Sequence, residues 1–201
     1  PWLPKEQGGI GASHVDTFIL SDTLLERGVA APQQMANAGT SIVGPTLFRI
    51  GSEEQKKEYL PRIARGEIDF CVGYTEPEAG TDLASLQMRA VEDGDDYIIN
   101  GTKRFNTHCH GADYHWLLVR TDPSAPKQRG LLVVINPMKS PGITIDPMWC
   151  IGDERTNEVF YDSVRVPKKN LVGDRGRGFQ YVMTALQYER SFAAGGFKWV
   201  F

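Results

Sequence analysis

Apolar residues recur with two different spacings along the chain, and the spacing changes twice. Up to residue 67 they follow the 3.6-residue period of a helix, and from Ile68 they alternate with polar residues as in β-strands. From Gly173 the helical period returns. This order predicts an α+β protein with a helical region at 1–67, a β domain at 68–172 and the start of a second helical domain at 173–201.

The first region is predicted to hold three helices, at about 14–27, 33–50 and 52–66. Ser52 and Gln55 have the spacing of a capping box, in which each side chain accepts a hydrogen bond from the backbone N–H of the other residue. Pro45 interrupts the second helical pattern, but proline is tolerated near the start of a helix. The helical pattern at 33–50 is therefore predicted to be interrupted at Pro45.

The middle region is predicted to hold short strands separated by turn-forming residues. A polar hairpin is predicted from Glu92 to Asp96, and a second turn at Asn100-Gly101. The predicted strands lie near 69–74, 86–92, 96–101, 103–107, 114–120, 130–136, 142–147 and 157–166. This series predicts an antiparallel β-barrel or sandwich between helical segments.

Composition narrows the possible partners. The 201 residues are 41% hydrophobic and carry a formal net charge of −3, which gives no electrostatic reason to expect nucleic acid or an anionic membrane as partner. The three cysteines are too few for a disulfide framework, and no apolar run approaches the roughly 18 residues of a membrane span. We expect a cytoplasmic protein, or one of the mitochondrial matrix if the source is eukaryotic.

The stretch from Phe70 to Thr107 carries the candidate chemistry. A predicted strand ends at Tyr74 and is followed by a polar loop that contains Gly80. The loop brings together backbone N–H groups and the hydroxyls of Thr75 and Thr81, an arrangement that suits a flat polar ring or a phosphate.

The predicted strand at 103–107 carries an aromatic ring and a hydroxyl. Residues two apart in a strand share a face, so we expect Phe105 and Thr107 to project together and Asn106 to point away, toward solvent or a neighbouring subunit. His108 and His110 have strand spacing for one face, but no further His or Cys completes a set of four ligands, so no metal is expected.

Three motifs, TEPEAGTD at 75–82, NGTKRFNT at 100–107 and EVFYDSVRVP at 158–167, resemble the flavin-binding middle domain of the acyl-CoA dehydrogenase family. They occur in the family's order and at its spacing. The resemblance extends over all 201 residues but over only about half of a family subunit. The chain also begins in mid-motif and stops directly after its last helix, so we expect the final helical domain to be incomplete.

The resemblance implies FAD as cofactor. It places Tyr74 and Thr75 near the pyrimidine edge of the flavin, Phe105 against the ring in place of the usual tryptophan, and Thr107 at N5, while Asn106 replaces the usual isoleucine. The implied cofactor-binding residues are Val72, Gly73, Tyr74, Thr75, Gly80, Thr81, Phe105, Asn106 and Thr107.

The implied reaction is α,β-dehydrogenation of an acyl-CoA thioester, in which a carboxylate removes the α-proton and the β-carbon gives hydride to the flavin. Glu189 is the candidate base by its resemblance to the Asp-Leu-Glu-Arg stretch of isovaleryl-CoA dehydrogenase, the alternative being a carboxylate beyond Phe201. The implied substrate-binding residues are Thr81, Gln128, Arg129, Gln187 and Arg190.

The resemblance also implies partners and alternatives. It implies an electron-transfer flavoprotein or similar acceptor, and a homo-oligomer, either a dimer or a tetramer. The phrases GDERTNEVF and LLVRTDP resemble bacterial members that act on carboxylic, aromatic or steroid-derived thioesters. The alternatives are a non-catalytic or heteromeric subunit of the same family, motivated by Phe105, Asn106 and Gln187, and an acyl-CoA oxidase.

Overall fold

The computed structural model describes residues 2–28 and 38–193. It divides into two compact units, one formed by Pro1–Asp69 with Met183–Phe201 and the other by Phe70–Val182. The first is helical in its described residues and the second is built on a β-sheet. The predicted α+β class is therefore confirmed.

The helical elements follow the predicted pattern closely. The helix α1 (His14–Glu26) matches the first predicted helix, and α3 (Glu53–Ala64) begins after Ser52 with both hydrogen bonds of the capping box formed. A π-helical turn (Gly39–Val43) runs directly into α2 (Gly44–Ile50), with proline in its first turn; residues 33–37 of the second predicted helix lie outside the described residues. The last helix is α4 (Gly178–Ala193).

The apolar stripe of α1 is exposed among the described residues. Val15, Phe18 and Ile19 are 66%, 57% and 56% exposed. The periodicity thus predicted the helix correctly, while the described residues do not bury its apolar face.

The β unit is a single eight-stranded sheet. Its strands are β1 (Phe70–Gly73), β2 (Arg89–Asp93), β3 (Asp96–Lys103), β4 (Tyr114–Arg120), β5 (Leu131–Pro137), β6 (Ile143–Trp149), β7 (Arg155–Pro167) and β8 (Leu171–Val172). They are arranged in the order β6-β7-β3-β2-β4-β5-β8, with β1 paired to β4 outside this path. Neighbours along the path are antiparallel except β2 and β4, which are parallel and pair through Arg89 and Arg120, and β1 also runs parallel to β4.

The core of this unit runs along β4 and β5. Every residue of β5 from Leu131 to Asn136 is buried, and so is every residue of β4 from His115 to Arg120. Such continuous burial is typical of strands that are covered on both faces. Strand β1 pairs with β4 and so lies directly beside this buried layer.

Two strand predictions are wrong near Gly101. The chain does not turn at Asn100-Gly101, because β3 continues through both residues and the pairing with β7 shifts by a β-bulge between Ile99 and Gly101. Gly101 has φ +142, and a Cβ there would lie 2.9 Å from the Cγ of Met88. Glycine is required at 101 by its φ and by the approach of Met88, as it would be in a turn, so the Asn-Gly signal did not distinguish a turn from a strand. The extra residue of the bulge lies on β7, where Asp162 and Ser163 oppose Asn100 and Ser163 has φ +54. The separate strand predicted at 103–107 also does not form, because β3 ends at Lys103.

A neutral histidine is buried in the β unit. His115 is fully buried, and its Nδ1 lies 2.7 Å from the hydroxyl of Tyr161. Burial lowers the pKa of His115 from 6.5 to about 3, with a further contribution from the positive charge of Lys103. The folded protein therefore opposes protonation of this ring.

We predict that stability falls as the pH is lowered from 7 to 5, by about 2 kcal/mol from this residue alone. Between pH 6.5 and 3 the unfolded chain binds a proton that folded His115 does not, so acid favours unfolding. Urea unfolding at both pH values would measure the effect. The variant His115→Gln should lose this part of the pH dependence, whereas His108→Gln on a turn should keep it. An unchanged dependence in His115→Gln would contradict the prediction.

Candidate functional site

Two predicted parts of the site lie side by side at the end of β1. Three backbone carbonyls of the segment 72–75 accept hydrogen bonds from residues 103–106. The two segments are neighbours in space although about thirty positions separate them in sequence. The contacts are Asn106 Nδ2 to the Val72 oxygen at 3.1 Å, Lys103 Nζ to the Tyr74 oxygen at 3.0 Å, and the Arg104 backbone N–H to the Thr75 oxygen at 2.8 Å. The two segments therefore form one structural unit.

The loop after Thr75 is closed by the carboxylate of Glu76. Its Oε2 accepts from the backbone N–H of Gln87, and its Oε1 accepts from the backbone N–H of Met88 and from Lys103 Nζ, both at 2.9 Å. Glu76 is 6% exposed and Lys103 is fully buried. This buried pair joins both ends of the loop to the last residue of β3.

Arg120 holds the far side of the same loop. Its Nε donates to the carbonyl of Leu86 at 2.8 Å, and its Nη2 donates to the carbonyls of Ala84 at 2.6 Å and Lys127 at 3.3 Å. Gly80 and Thr81 lie at the exposed tip between these anchored arms, and nothing lies within 4 Å of a Cβ built on Gly80. The tip is thus open while its two ends are fixed.

Burial lowers the pKa of Lys103 from 10.5 to about 8, because the ammonium loses its water and the nearby Glu76 only partly compensates. Gly73 has no space for a side chain, since a Cβ would lie 2.2 Å from Nε2 of His115. The backbone of β1 therefore packs directly against the buried polar groups beneath it.

Residues 104–107 leave the sheet, which corrects two expectations. Phe105 has φ +59 and is 56% exposed, so it does not share a strand face with Thr107 as predicted. Asn106 is 2% exposed and bonded to Val72, so the expectation that it faces solvent or a neighbouring subunit is also wrong. Its backbone N–H donates to the carbonyl of Asn157 at 2.9 Å, and Asn157 Nδ2 donates to its carbonyl at 2.8 Å.

Thr107 is exposed and follows these anchors directly. Its hydroxyl lies 3.5 Å from the hydroxyl of Thr156, on β7. Phe105 lies beside the guanidinium of Arg104, which is 5.8 Å from the ring centroid. The structure therefore presents an aromatic ring and a hydroxyl next to the half-buried Thr75, as a flat ligand with a polar edge requires.

Both halves of this chain match models of one family. Residues 1–67 match the acyl-CoA dehydrogenase N-terminal domain, and residues 71–164 match the acyl-CoA dehydrogenase middle domain. The chain belongs to the acyl-CoA dehydrogenase family. This confirms the resemblance drawn from the three motifs.

Individual acyl-CoA dehydrogenases are similar to the chain. It is 46% identical to acyl-CoA dehydrogenase FadE29 of Mycobacterium tuberculosis, over 93% of this chain and 48% of that protein. It is similar in structure to the Tcur3481-Tcur3483 steroid ACAD, with a TM-score of 0.89, 43% identity and coverage of 96% of this chain and 50% of that one. It is also similar to the ChsE4-ChsE5 complex of M. tuberculosis, with a TM-score of 0.83, 41% identity and coverage of 94% and 48%. The chain spans about half the length of these relatives.

Acyl-CoA dehydrogenases are flavin-dependent, and the residues at the end of β1 fit such a cofactor. Thr75, Thr107 and the ring of Phe105 are accessible, whereas the carbonyls of the segment 72–75 are engaged by residues 103–106. Phe105 offers an apolar face and the two threonines offer hydroxyls. These are the groups that an isoalloxazine ring requires for stacking and edge contacts.

The other predicted residues lie elsewhere. Gln128 and Arg129 are exposed on the loop between β4 and β5, whose carbonyl at Lys127 contacts Arg120. Gln187, Glu189 and Arg190 are exposed on the part of α4 that belongs to the helical unit. The structure thus brings the segments 72–75 and 103–106 together, leaves Gly80 and Thr81 at the loop tip, and describes Gln187, Glu189 and Arg190 in the helical unit.

His108 and His110 lie on a turn and not on a strand, with ring centroids 5.8 Å apart. Nδ1 of His110 lies 3.2 Å from Nδ2 of Asn157. Within residues 2–28 and 38–193, no three His, Cys, Asp or Glu side chains are grouped to hold a metal ion. None of the helices in the same residues has the length and hydrophobicity of a membrane span.

The side chains that anchor the site were not predicted from the sequence; they are Glu76, Lys103, Arg120 and Asn157. One signal was available for Lys103. Tyr97, Ile99 and Lys103 occupy alternate positions of β3, and the first two are apolar and buried. A lysine on the inward side of a strand requires a buried acceptor, and Glu76, the first of the three acidic residues of TEPEAGTD, supplies it.

We predict that Asn106→Leu destabilises the protein by about 1–3 kcal/mol, because the buried carbonyls of Val72 and Arg104 lose a donor. Chemical denaturation of the parent and the variant would measure the loss. Asn100→Leu provides a control, since Asn100 is exposed and water can replace the one bond that its Oδ1 accepts from the Ser163 N–H, so the change should cost less. Equal stability of Asn106→Leu and the parent would show that the carboxamide does not tie the two segments together.

Proposed function

We propose that this chain is part of an FAD-dependent acyl-CoA dehydrogenase that introduces an α,β double bond into an acyl-CoA thioester. The observation that carries the proposal is the junction of the segment 72–75 with residues 103–107, which places Thr75, Phe105 and Thr107 of two family motifs on one anchored unit. Family membership supports the reaction class.

The flavin would be held at this junction. Tyr74 and Thr75 would meet its pyrimidine edge, Phe105 its face and Thr107 its N5, with Val72, Gly73, Gly80, Thr81 and Asn106 completing the surroundings. When bound, FAD supplies the acceptor for the hydride from the β-carbon. The residues of this chain bind and orient the ring, and the apolar face of Phe105 excludes water from one side of it.

The proton is removed by a carboxylate. Glu189 on α4 is the proposed base, with Gln187, Arg190, Thr81, Gln128 and Arg129 as substrate contacts. Glu189 is followed directly by Arg190, as in the family stretch that it resembles, and it is exposed among the described residues. The alternative is a carboxylate outside the 201 residues.

Two of the similar structures suggest the substrate class and the assembly. One is described as a steroid ACAD and named as a pair of gene products, and another is described as a complex of two named proteins. We therefore propose a thioester that carries a bulky ring system, and a heteromer with a second family subunit in place of the homo-oligomer expected from the sequence. An electron-transfer flavoprotein or similar carrier would reoxidise the flavin.

A second candidate is a subunit of such a heteromer that does not itself catalyse. Phe105 and Asn106 at the flavin face, and Gln187 near the proposed base, replace the usual residues. The exposed Phe105 ring and the hydrogen bonds that join Asn106 to Val72 and Asn157 favour the catalytic alternative, because both keep the flavin surface formed.

The variant Glu189→Gln should retain FAD and thioester binding but reduce the rate of flavin reduction by about 10²-fold or more, because the amide cannot accept the α-proton. Anaerobic bleaching of the flavin by acyl-CoA thioesters, in the full-length protein with any co-purifying subunit, would measure this. Glu58→Gln provides a matched exposed control on α3 and should react like the parent. Full activity of Glu189→Gln would assign the base to another carboxylate, and no bleaching of the flavin-loaded parent by any thioester would favour the non-catalytic subunit.

We predict that the full-length protein expressed alone carries less than one FAD per chain, and that co-expression with its second subunit raises the flavin content and favours steroid-type over straight-chain thioesters. Native mass spectrometry and flavin absorbance would measure stoichiometry. A flavin-saturated homo-oligomer that prefers straight-chain substrates would contradict both the assembly and the substrate class.

A further inference from the structure

The side chain of Lys103 forms hydrogen bonds to the two residues that flank Thr75 in the chain. Its ammonium donates to the Tyr74 carbonyl at 3.0 Å and to Glu76 Oε1 at 2.9 Å, and these two residues flank Thr75 in the chain. The Thr75 carbonyl accepts from the backbone N–H of Arg104, the next residue after Lys103. Three consecutive residues are therefore fixed by the end of β3.

The residues that follow the end of β3 form the second segment of the proposed flavin site. Phe105 and Thr107 follow Lys103 by two and four positions, and Asn106 between them is anchored to Val72 and Asn157. The separation between Thr75 and Thr107 is thus set by a short run of residues that begins at Lys103. A displacement of Lys103 would move both hydroxyls relative to each other.

We infer that Lys103 is a positioning residue for the flavin, which sets Thr75 against Phe105 and Thr107 through the Tyr74 carbonyl and Glu76. The inference rests on the proposed function. The ammonium is fully buried and already bonded to two oxygens, so it acts through the backbone and the loop and not by contact with a ligand.

The burial of this charge is unfavourable in itself. The pKa of Lys103 falls to about 8 because the ammonium is removed from water. A methionine has a similar length and would fill the same space without this cost. The hydrogen bonds that the ammonium donates to the Tyr74 carbonyl and to Glu76 explain why a charged side chain lies at this buried position. An apolar side chain cannot form them.

The test compares a single and a double variant of the full-length, flavin-loaded protein, with its second subunit where one is required. In Lys103→Met the Tyr74 carbonyl and the Glu76 carboxylate both lose the ammonium as donor, so we expect FAD to bind at least about tenfold more weakly and the flavin visible circular dichroism to change. Adding Glu76→Gln removes the negative charge that has lost its counter-ion, and the amide oxygen still accepts from one of the two backbone N–H groups at Gln87 and Met88, so the thermal midpoint should recover in part. The Tyr74 carbonyl still lacks its donor, so flavin affinity should stay weak.

The outcomes separate positioning from stability. If FAD affinity and the flavin spectrum recover in parallel with the thermal midpoint in the double variant, Lys103 is merely structural and the inference is overturned. The double variant also provides the answer if Lys103→Met alone does not fold. Lys168→Met is the matched control, since Lys168 pairs with Glu92 on the surface, and it should bind FAD like the parent.

Failure of the proposed function gives a different result. A parent protein that binds no FAD refutes the function and this inference together. A parent that binds FAD, beside a Lys103→Met variant with the same dissociation constant and spectrum, refutes the inference alone.

Discussion

The conformation of the loop that follows β1 depends on one buried ammonium group, which must find hydrogen-bond acceptors within the protein. Lys103 has exchanged water for a carbonyl and a carboxylate, and the carboxylate of Glu76 is in turn satisfied by two backbone N–H groups. Each of these groups would be costly to leave unpaired, so the chain must bring all of them to one place. The path of the loop between Glu76 and Met88 follows from this requirement.

The same principle governs the neighbouring segments outside the strands, whose backbone groups are satisfied by polar side chains. Asn106 and Asn157 use side-chain amides where a strand would use backbone groups, and Arg120 supplies donors to three carbonyls. Apolar packing along β4 and β5 stabilises the sheet, but it has no directional preference for one loop conformation over another. Directional contacts at the ends of the strands decide the shape of the proposed flavin surface.

The sequence predicted the elements best where one local signal acts alone. The capping box at Ser52 and Gln55 located the start of α3, and the apolar run of β4 agreed with the structure at both ends. Glycine at 101 suits either a turn or a strand that Met88 approaches closely, and only the pairing of β3 with its neighbours decides between them. The exposed stripe of α1 shows a related limit, since a helical period reveals a face but not the element that covers it.

The residues of the site were predicted through motifs, whereas their anchors were not. Thr75, Phe105 and Thr107 lie together because Lys103 and Asn106 reach back to β1, over about thirty positions of sequence. Contacts of that range depend on the register of the sheet, which local patterns do not specify. Asn106 was misplaced for this reason, because the alternation of a strand was extended past the point where β3 ends.

The closure of the loop by Glu76 and Arg120 has a consequence for how such a protein diversifies. Both ends are fixed by side chains that contact backbone groups, and contacts of this kind tolerate changes of side chain at the residues whose backbone is contacted. The exposed tip at Gly80 and Thr81 lies between them. Substitutions at the tip can therefore accumulate during evolution without displacing the segment at Thr75, so the exposed surface of the loop can diversify while its anchored ends keep one conformation.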